Sequence, residues 1–102
     1  MEDILALEVL GGPMDGLRLN LTEDIESAKI GRQVGNNLVL AFDMTISRWH
    51  ASIKTEVHDF YLVDEKSVSG TWINGKRIEK KKIEPGMIFL LGGTIIEVFS
   101  KP

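Results

Sequence analysis

Ser47 and His50 stand three residues apart, and Asp43, Asp59 and Asp64 lie close enough in the chain to offer a carboxylate. A serine, an imidazole and an acid can form a nucleophile, its base and the group that orients the base. The spacing argues against that use, because residues 47 and 50 of an extended strand project to opposite faces. No nucleophile elbow surrounds the serine, no glycine-rich loop closes in Lys-Ser or Lys-Thr, and His-Glu-x-x-His is absent. His50 and His58 are the two histidines, there is no cysteine, and no acidic cluster has calcium-loop spacing. The plain reading is a turn serine and a histidine bonded to a neighbouring loop, in a chain with no metal, no cofactor and no catalytic residue.

Anion binding suits other residues better. Arg32 follows Gly31 at a strand end, Ser47-Arg48 follow Asp43-Met44-Thr45, and Ser67 to Thr71 form a small polar loop before a strand. If these three loops share one end of a β-scaffold, two guanidinium groups, a hydroxyl and several backbone N–H groups surround one point. That set fits a phosphate, since arginine gives paired bonds to its oxygens and loop N–H groups complete the shell. Loops on a rigid sheet scaffold are a usual place for binding residues. The competing reading pairs Arg32 and Arg48 with surface acids such as Asp43 or Glu65.

The elements that must position these residues read as short strands between turns. Ile4 to Leu10 is apolar and stops at Gly11-Gly12-Pro13, and Leu17, Leu19 and Leu21 alternate with polar residues. Ala28 to Ile30, Leu38 to Leu40, Ala51 to Glu56 and Phe60 to Val63 follow. Thr71 to Ile78 carries Asn74-Gly75 at its centre, the strongest short hairpin signal. Met87 to Leu91 and Thr94 to Phe99, split by Gly92-Gly93, close the chain. Thr22 to Ala28 has room for one helical turn, and no longer window carries a helical stripe. The pattern predicts an all-β sandwich or barrel. Core candidates are Ile4, Leu17, Leu19, Ile30, Leu38, Leu40, Ile53, Leu62, Ile73, Ile88, Leu90, Ile96 and Val98. Trp49 reads either as an exposed aromatic beside a ligand or as packed on a strand. Trp72 reads as a partly buried strand residue, and Lys76, Arg77 and Lys80 to Lys82 as a solvated hairpin and turn.

The 102 residues contain no repeat or linker and are read as one domain over 1–102. Twelve basic and fifteen acidic residues give a net charge of −3. Residues 1–31 hold two basic and seven acidic groups, so an anion-binding surface belongs to the later part. Bulk attraction to nucleic acid or anionic lipid is not expected. No apolar run approaches the roughly 20 residues needed to span a membrane. The start, Met1-Glu2-Asp3, is acidic where a signal peptide is basic. The expectation is a soluble, cytoplasmic chain, either a small whole protein or a domain of a larger one.

Taken in order, Gly31-Arg32, Asn37 with Leu38 and Leu40, Ser47-Arg48-Trp49-His50-Ala51, Asp64 with Ser67, Gly70-Thr71, Asn74-Gly75, Pro85-Gly86 and Leu91-Gly92 resemble the forkhead-associated (FHA) domain, and Gly12-Pro13 with Gly16 resembles bacterial members. The similarity runs over essentially the whole chain. It implies an FHA-like β-sandwich of about eleven short strands whose apical loops bind phosphothreonine peptides. Carried over, Arg32 contacts the phosphate, Ser47 hydrogen-bonds one of its oxygens, and Arg48 adds charge or holds the peptide backbone. His50 braces the recognition loops, Gly31 and Gly70 permit tight loop geometry with Thr71 beside them, and Asn74 orders its hairpin. The implied partner is a protein phosphorylated by a Ser/Thr kinase, or the kinase itself.

Two positions depart from the family pattern. Ser69 stands where an asparagine usually holds the peptide main chain, and Val68 where a hydroxyl often reaches the phosphate. Each lost bond to a charged group is worth roughly 1.5–3 kcal/mol. The loop is left with its backbone N–H groups, and the expectation is retained binding of modest affinity. The departures also motivate a rival, a degenerate member that binds protein without phosphate. A small hydrolase using Ser47 and His50 is the second rival, and an acyl- or phosphonyl-transfer probe of Ser47 separates it.

Overall fold

A computed structural model describes residues 3–100 as eleven strands in two sheets. The strands are β1 (Asp3–Leu10), β2 (Arg18–Thr22), β3 (Ser27–Gly31), β4 (Leu38–Val39), β5 (Ala51–Glu56), β6 (Asp59–Asp64), β7 (Thr71–Ile73), β8 (Lys76–Ile78), β9 (Lys80–Lys82), β10 (Ile88–Leu91) and β11 (Thr94–Ser100). One sheet runs β2-β1-β11-β10-β7-β8 and the other β4-β3-β5-β6-β9. Neighbours pair antiparallel except β3 and β4, which run parallel. The sandwich of about eleven strands is the expected one. Among the described residues no helix is long and apolar enough to cross a membrane.

The core fills the space between the sheets. Leu7, Val9, Leu21, Ile30, Ile53, Leu62, Phe89, Leu91 and Ile96 are essentially sealed from solvent. Of the core candidates, Ile30, Leu38, Leu40, Ile53, Leu62, Ile73, Ile96 and Val98 are buried. Ile4 and Leu19 pack against the core from its margin, and Leu17, Ile88 and Leu90 are exposed. The β10 error has a clear cause. Ile88-Phe89-Leu90-Leu91 is apolar at every position, so alternation cannot choose a face. Its pairing with β7 and β11 turns Phe89 and Leu91 inward.

The segment 22–28 turns without forming a helix and enters β3 at Ser27. Lys80 to Lys82 form a strand rather than a turn. They pair with Val63, Leu62 and Tyr61 and make the edge of the second sheet. Three exposed lysines on an edge discourage pairing with another chain's strand, which explains a strand of such low β-propensity.

Two tight hairpins differ in chemistry. Asn74 and Gly75 take φ of 51° and 75° in the β7–β8 turn, as their types allow. Val57 and His58 take φ of 47° and 70° in the β5–β6 turn. A β-branched residue in the left-handed region is strained, at about 1–3 kcal/mol. Replacing Val57-His58 by Asn-Gly is therefore expected to stabilise the fold by about 1–2 kcal/mol and raise Tm by roughly 4–16 °C. Thermal melts of the two proteins check this, and an unchanged Tm refutes the strain.

Candidate functional site

Three loops meet at one end of the sandwich: residues 32–37 after β3, residues 40–50 before β5, and residues 65–70 between β6 and β7. Backbone bonds seat the first on the second. The N–H of Arg32 donates to the Ser47 carbonyl at 3.1 Å and that of Gln33 to the Arg48 carbonyl at 3.2 Å. Asn36 locks the pair, its Nδ2 donating to the carbonyls of Gln33 (2.7 Å) and Arg48 (2.8 Å). The approach leaves no room at Gly31, where a Cβ would lie 2.1 Å from the Arg48 oxygen.

His50 ties the second loop to the third. It is fully buried. Its Nδ1 accepts the Ser47 N–H at 3.0 Å, which leaves Nε2 to donate to the Gly70 carbonyl at 2.8 Å. The neutral Nε2–H tautomer is thereby specified. Ser47 Oγ accepts the Val68 N–H at 3.0 Å, and Ser69 Oγ donates to the Thr45 carbonyl at 2.8 Å. The third loop is also pinned from outside: Trp72 Nε1 donates to the Ser69 carbonyl at 2.8 Å and Arg77 Nη2 to the Ser67 carbonyl at 3.0 Å. Gly70 has φ of 88° and sits against both side chains, with Arg77 Nε 2.8 Å and Trp72 Nε1 2.9 Å from where a Cβ would stand.

Two aspartates organise the loops. Asp64 accepts from the hydroxyls of Ser67 (2.6 Å) and Thr71 (2.8 Å) and from the Ser67 N–H. Asp43 accepts from Thr45 through its hydroxyl and N–H, from the Gly93 N–H and from the Thr94 hydroxyl. Partial burial alone would raise both carboxyls, but these donors outweigh it and hold both below the ordinary carboxylate value. A pKa lower in the folded than in the unfolded chain stabilises the fold above the unfolded value and loses that contribution as pH falls through the folded one. Stability is expected to hold steady from pH 7 to about 5 and to fall below about 4. Asp64→Asn should flatten part of that acid limb in denaturant melts across pH, and an unchanged limb refutes the assignment.

Arg32 and Arg48 pair with no acid of the described residues. Among the described residues neither takes part in a salt bridge. Asp43 is occupied as above, and Glu65 accepts from Ser52 Oγ at 2.6 Å with Lys54 Nζ 3.8 Å away. Arg32 Nε donates to the Ile46 carbonyl at 3.1 Å, which holds the side chain against the Ser47 loop and leaves both terminal nitrogens to other partners. Arg48 is exposed. Ser47 Oγ, with its acceptor side taken by Val68, retains its O–H as a donor. The structure thus assembles two guanidinium groups and a hydroxyl on mutually stapled loops.

Other members of the predicted set are placed differently. Val68 is 88% exposed at the loop tip. The N–H groups of Val68 and Gly70 are taken internally, by Ser47 Oγ and by Ser67 Oγ at 3.0 Å, so the loop offers fewer free donors than expected. Thr71 is buried on Asp64. Asn74 stands at the far end of β7 from Gly70, in the hairpin turn. Trp49 is half exposed, with its ring over Gly35 and Lys29 5.8 Å from its centroid. His50 meets Ser47 through the backbone N–H, not the hydroxyl, so the bond a nucleophile and its base require is not made. Sequence reasoning missed Asn36, Asp43, Trp72 and Arg77 as loop holders. Asp43-x-Thr45 carried a readable signal as an aspartate-led turn.

An eleven-stranded sandwich with an arginine-bearing apex of this kind defines a class, and comparison with known proteins agrees. The model of the FHA domain matches residues 28–92, and the chain belongs to the FHA family. Among curated proteins it resembles the glycogen accumulation regulator GarA of Mycobacterium tuberculosis, with 35% identity over 80 residues, 78% of this chain and 48% of that protein. GarA of Mycolicibacterium smegmatis is 34% identical over the same length. The chain thus spans about half the length of the curated relatives it matches. Among solved structures, an FHA domain studied for phosphothreonine-dependent interactions superposes with a TM-score of 0.84 at 27% identity, covering 97% of this chain and 98% of that one. The FHA domain of FhaA, complexed with the intracellular domain of Rv3910, gives 0.81 at 28%, covering 92% and 98%.

Proposed function

We propose that this chain is a non-catalytic protein-interaction module that binds phosphothreonine in a partner of Ser/Thr kinase signalling, either a kinase or its substrate. The observation that carries this is the pair of arginines, Arg32 and Arg48, without acidic partners among the described residues, beside the Ser47 hydroxyl on loops bolted together by His50. A phosphate dianion meets fixed donors there, and preorganisation spares it the cost of ordering them. The family and its solved members studied for phosphothreonine-dependent binding support the reading.

A second reading, protein binding without phosphate, is favoured by one specific feature. Ser69 Oγ and the Val68 N–H are spent on loop-to-loop bonds. Calorimetric titration with degenerate phosphothreonine, phosphoserine and unphosphorylated peptide pools separates the two. Binding confined to phosphothreonine establishes the first, and equal binding of all pools establishes the second.

The phosphate also titrates. Its second pKa is near 6, and a guanidinium stays charged throughout. Affinity for a phosphothreonine peptide is expected to fall several-fold between about pH 7 and 5 as the dianion is lost, and to fall with added salt. A flat profile would count against the charged pocket.

A further inference from the structure

The apolar surface of the molecule is unevenly spread. Phe42 and Met44 project from the loop that carries Ser47, and with Gly11 to Pro13 and Gly93 to Ile95 they line a groove of about 500 Å³. Ile95 passes that groove on to the outer face of the six-stranded sheet. There Leu10 pairs with Ile95, Ile95 with Leu90 and Leu90 with Trp72, one outward row across four strands, with Ile88 beside it. Ile95, Leu90, Trp72 and Ile88 also line one hollow. Phe42, Met44, Ile95, Leu90 and Ile88 are each between 36% and 76% exposed. They make a continuous apolar strip that begins beside the phosphate-binding loops and descends the outer sheet.

Scattered exposed apolar residues are ordinary, whereas the largest contiguous patch on a monomer is often its contact surface. Its size decides the kind. Five such side chains present on the order of 500 Å², short of the about 800 Å² per partner of a standard interface. The strip is too small to hold a second copy of this chain by itself. It suffices as an auxiliary contact for a partner already anchored next to it, since tethering makes the second contact intramolecular. The row from Leu10 to Trp72 carries no charged side chain; Glu97, opposite Ile88, and Asp43, in the groove between Phe42 and Met44, mark its edges.

We propose that the strip takes an apolar segment of the same phosphorylated partner, adjoining its phosphothreonine. This rests on the phosphate reading for its anchor. Reach is sufficient: the row crosses three strand spacings, about 14 Å, and ten extended residues span up to about 33 Å.

The test uses synthetic peptides: a phosphothreonine decamer, and the same decamer extended by ten residues at either end with alternating leucine or with alternating serine. The leucine extension is expected to bind the wild-type chain about tenfold more tightly than the serine extension at one of the two ends. That gain should vanish in a Leu90→Thr/Ile95→Thr variant, whose β-branched residues keep the strands, while its affinity for the decamer is unchanged. Val57→Asn, at the opposite end of β5, should keep the gain. Equal binding of both extensions, or a gain that survives the double variant, overturns the strip. Decamer binding that Arg32→Ala abolishes establishes the phosphate reading whatever the tails do. If the decamer fails while the leucine extension binds through Leu90 and Ile95, the phosphate reading falls, and with it the auxiliary role, because the strip then binds without an anchor. If nothing binds, both fall.

Discussion

Arg32→Ala is expected to weaken binding of a phosphothreonine peptide at least a hundredfold, about 3 kcal/mol. Two effects add. The guanidinium's charge-assisted bonds to phosphate are worth roughly 1.5–3 kcal/mol each. The Nε bond to the Ile46 carbonyl, which aims the side chain, is lost with it. Arg32→Lys restores the charge, but lysine has neither the fork nor an Nε to hold Ile46, so recovery should stay below about tenfold. The half-buried position predicts a modest stability cost, about 1 kcal/mol for the single bond removed. Calorimetry on the wild type and both variants, with melts beside it, checks all three statements. Wild-type affinity in the alanine variant would remove Arg32 from the site.

His50→Ala is expected to have the largest effect on the fold. It empties a fully buried imidazole site and strands the Ser47 N–H and the Gly70 carbonyl. A cavity of that size and unpaired buried groups together cost about 3–5 kcal/mol, or more than 10 °C of Tm for a domain this small. Conservative variants divide the loss. His50→Asn keeps an acceptor near Nδ1 for Ser47, and His50→Gln keeps a donor near Nε2 for Gly70, so each should recover part of it. Phosphopeptide affinity of the two, measured well below their melting points, then tells which loop matters more. A Tm for His50→Ala within a few degrees of wild type would show that the loops do not depend on this residue.

These two residues show how much was legible in advance. Arg32 and Ser47 were visible as types suited to an anion, but any surface arginine has that chemistry. The decisive facts, that Asp43 and Glu65 are otherwise engaged and that Arg32 leans on Ile46, involve residues distant in sequence. His50 was expected to brace loops. Only the packing shows that both ring nitrogens are used, and on which partners. The Val57-His58 turn carried little sign, because a β-branched valine is foreign to positive φ and histidine is only a weak marker of it.

Alternation of apolar and polar residues, glycine-bearing turns and the absence of a helical stripe determined most strands and an all-β sandwich or barrel without coordinates, because those signals act within a few residues of the chain; the choice of a sandwich came from the family resemblance. The local signals failed where they were mute. Ile88-Phe89-Leu90-Leu91 has no alternation, so its inner face depended on the β7 and β11 partners. Lys80 to Lys82 have no strand propensity, and became one by bonding to β6. The meeting of three loops at one apex and the bonds that spend Ser69 and the Val68 N–H depend on how two sheets stack, and the apolar strip beside them on the register of four strands within one sheet. Stacking is set by the sum of many long-range contacts, and no local stretch of residues contains it.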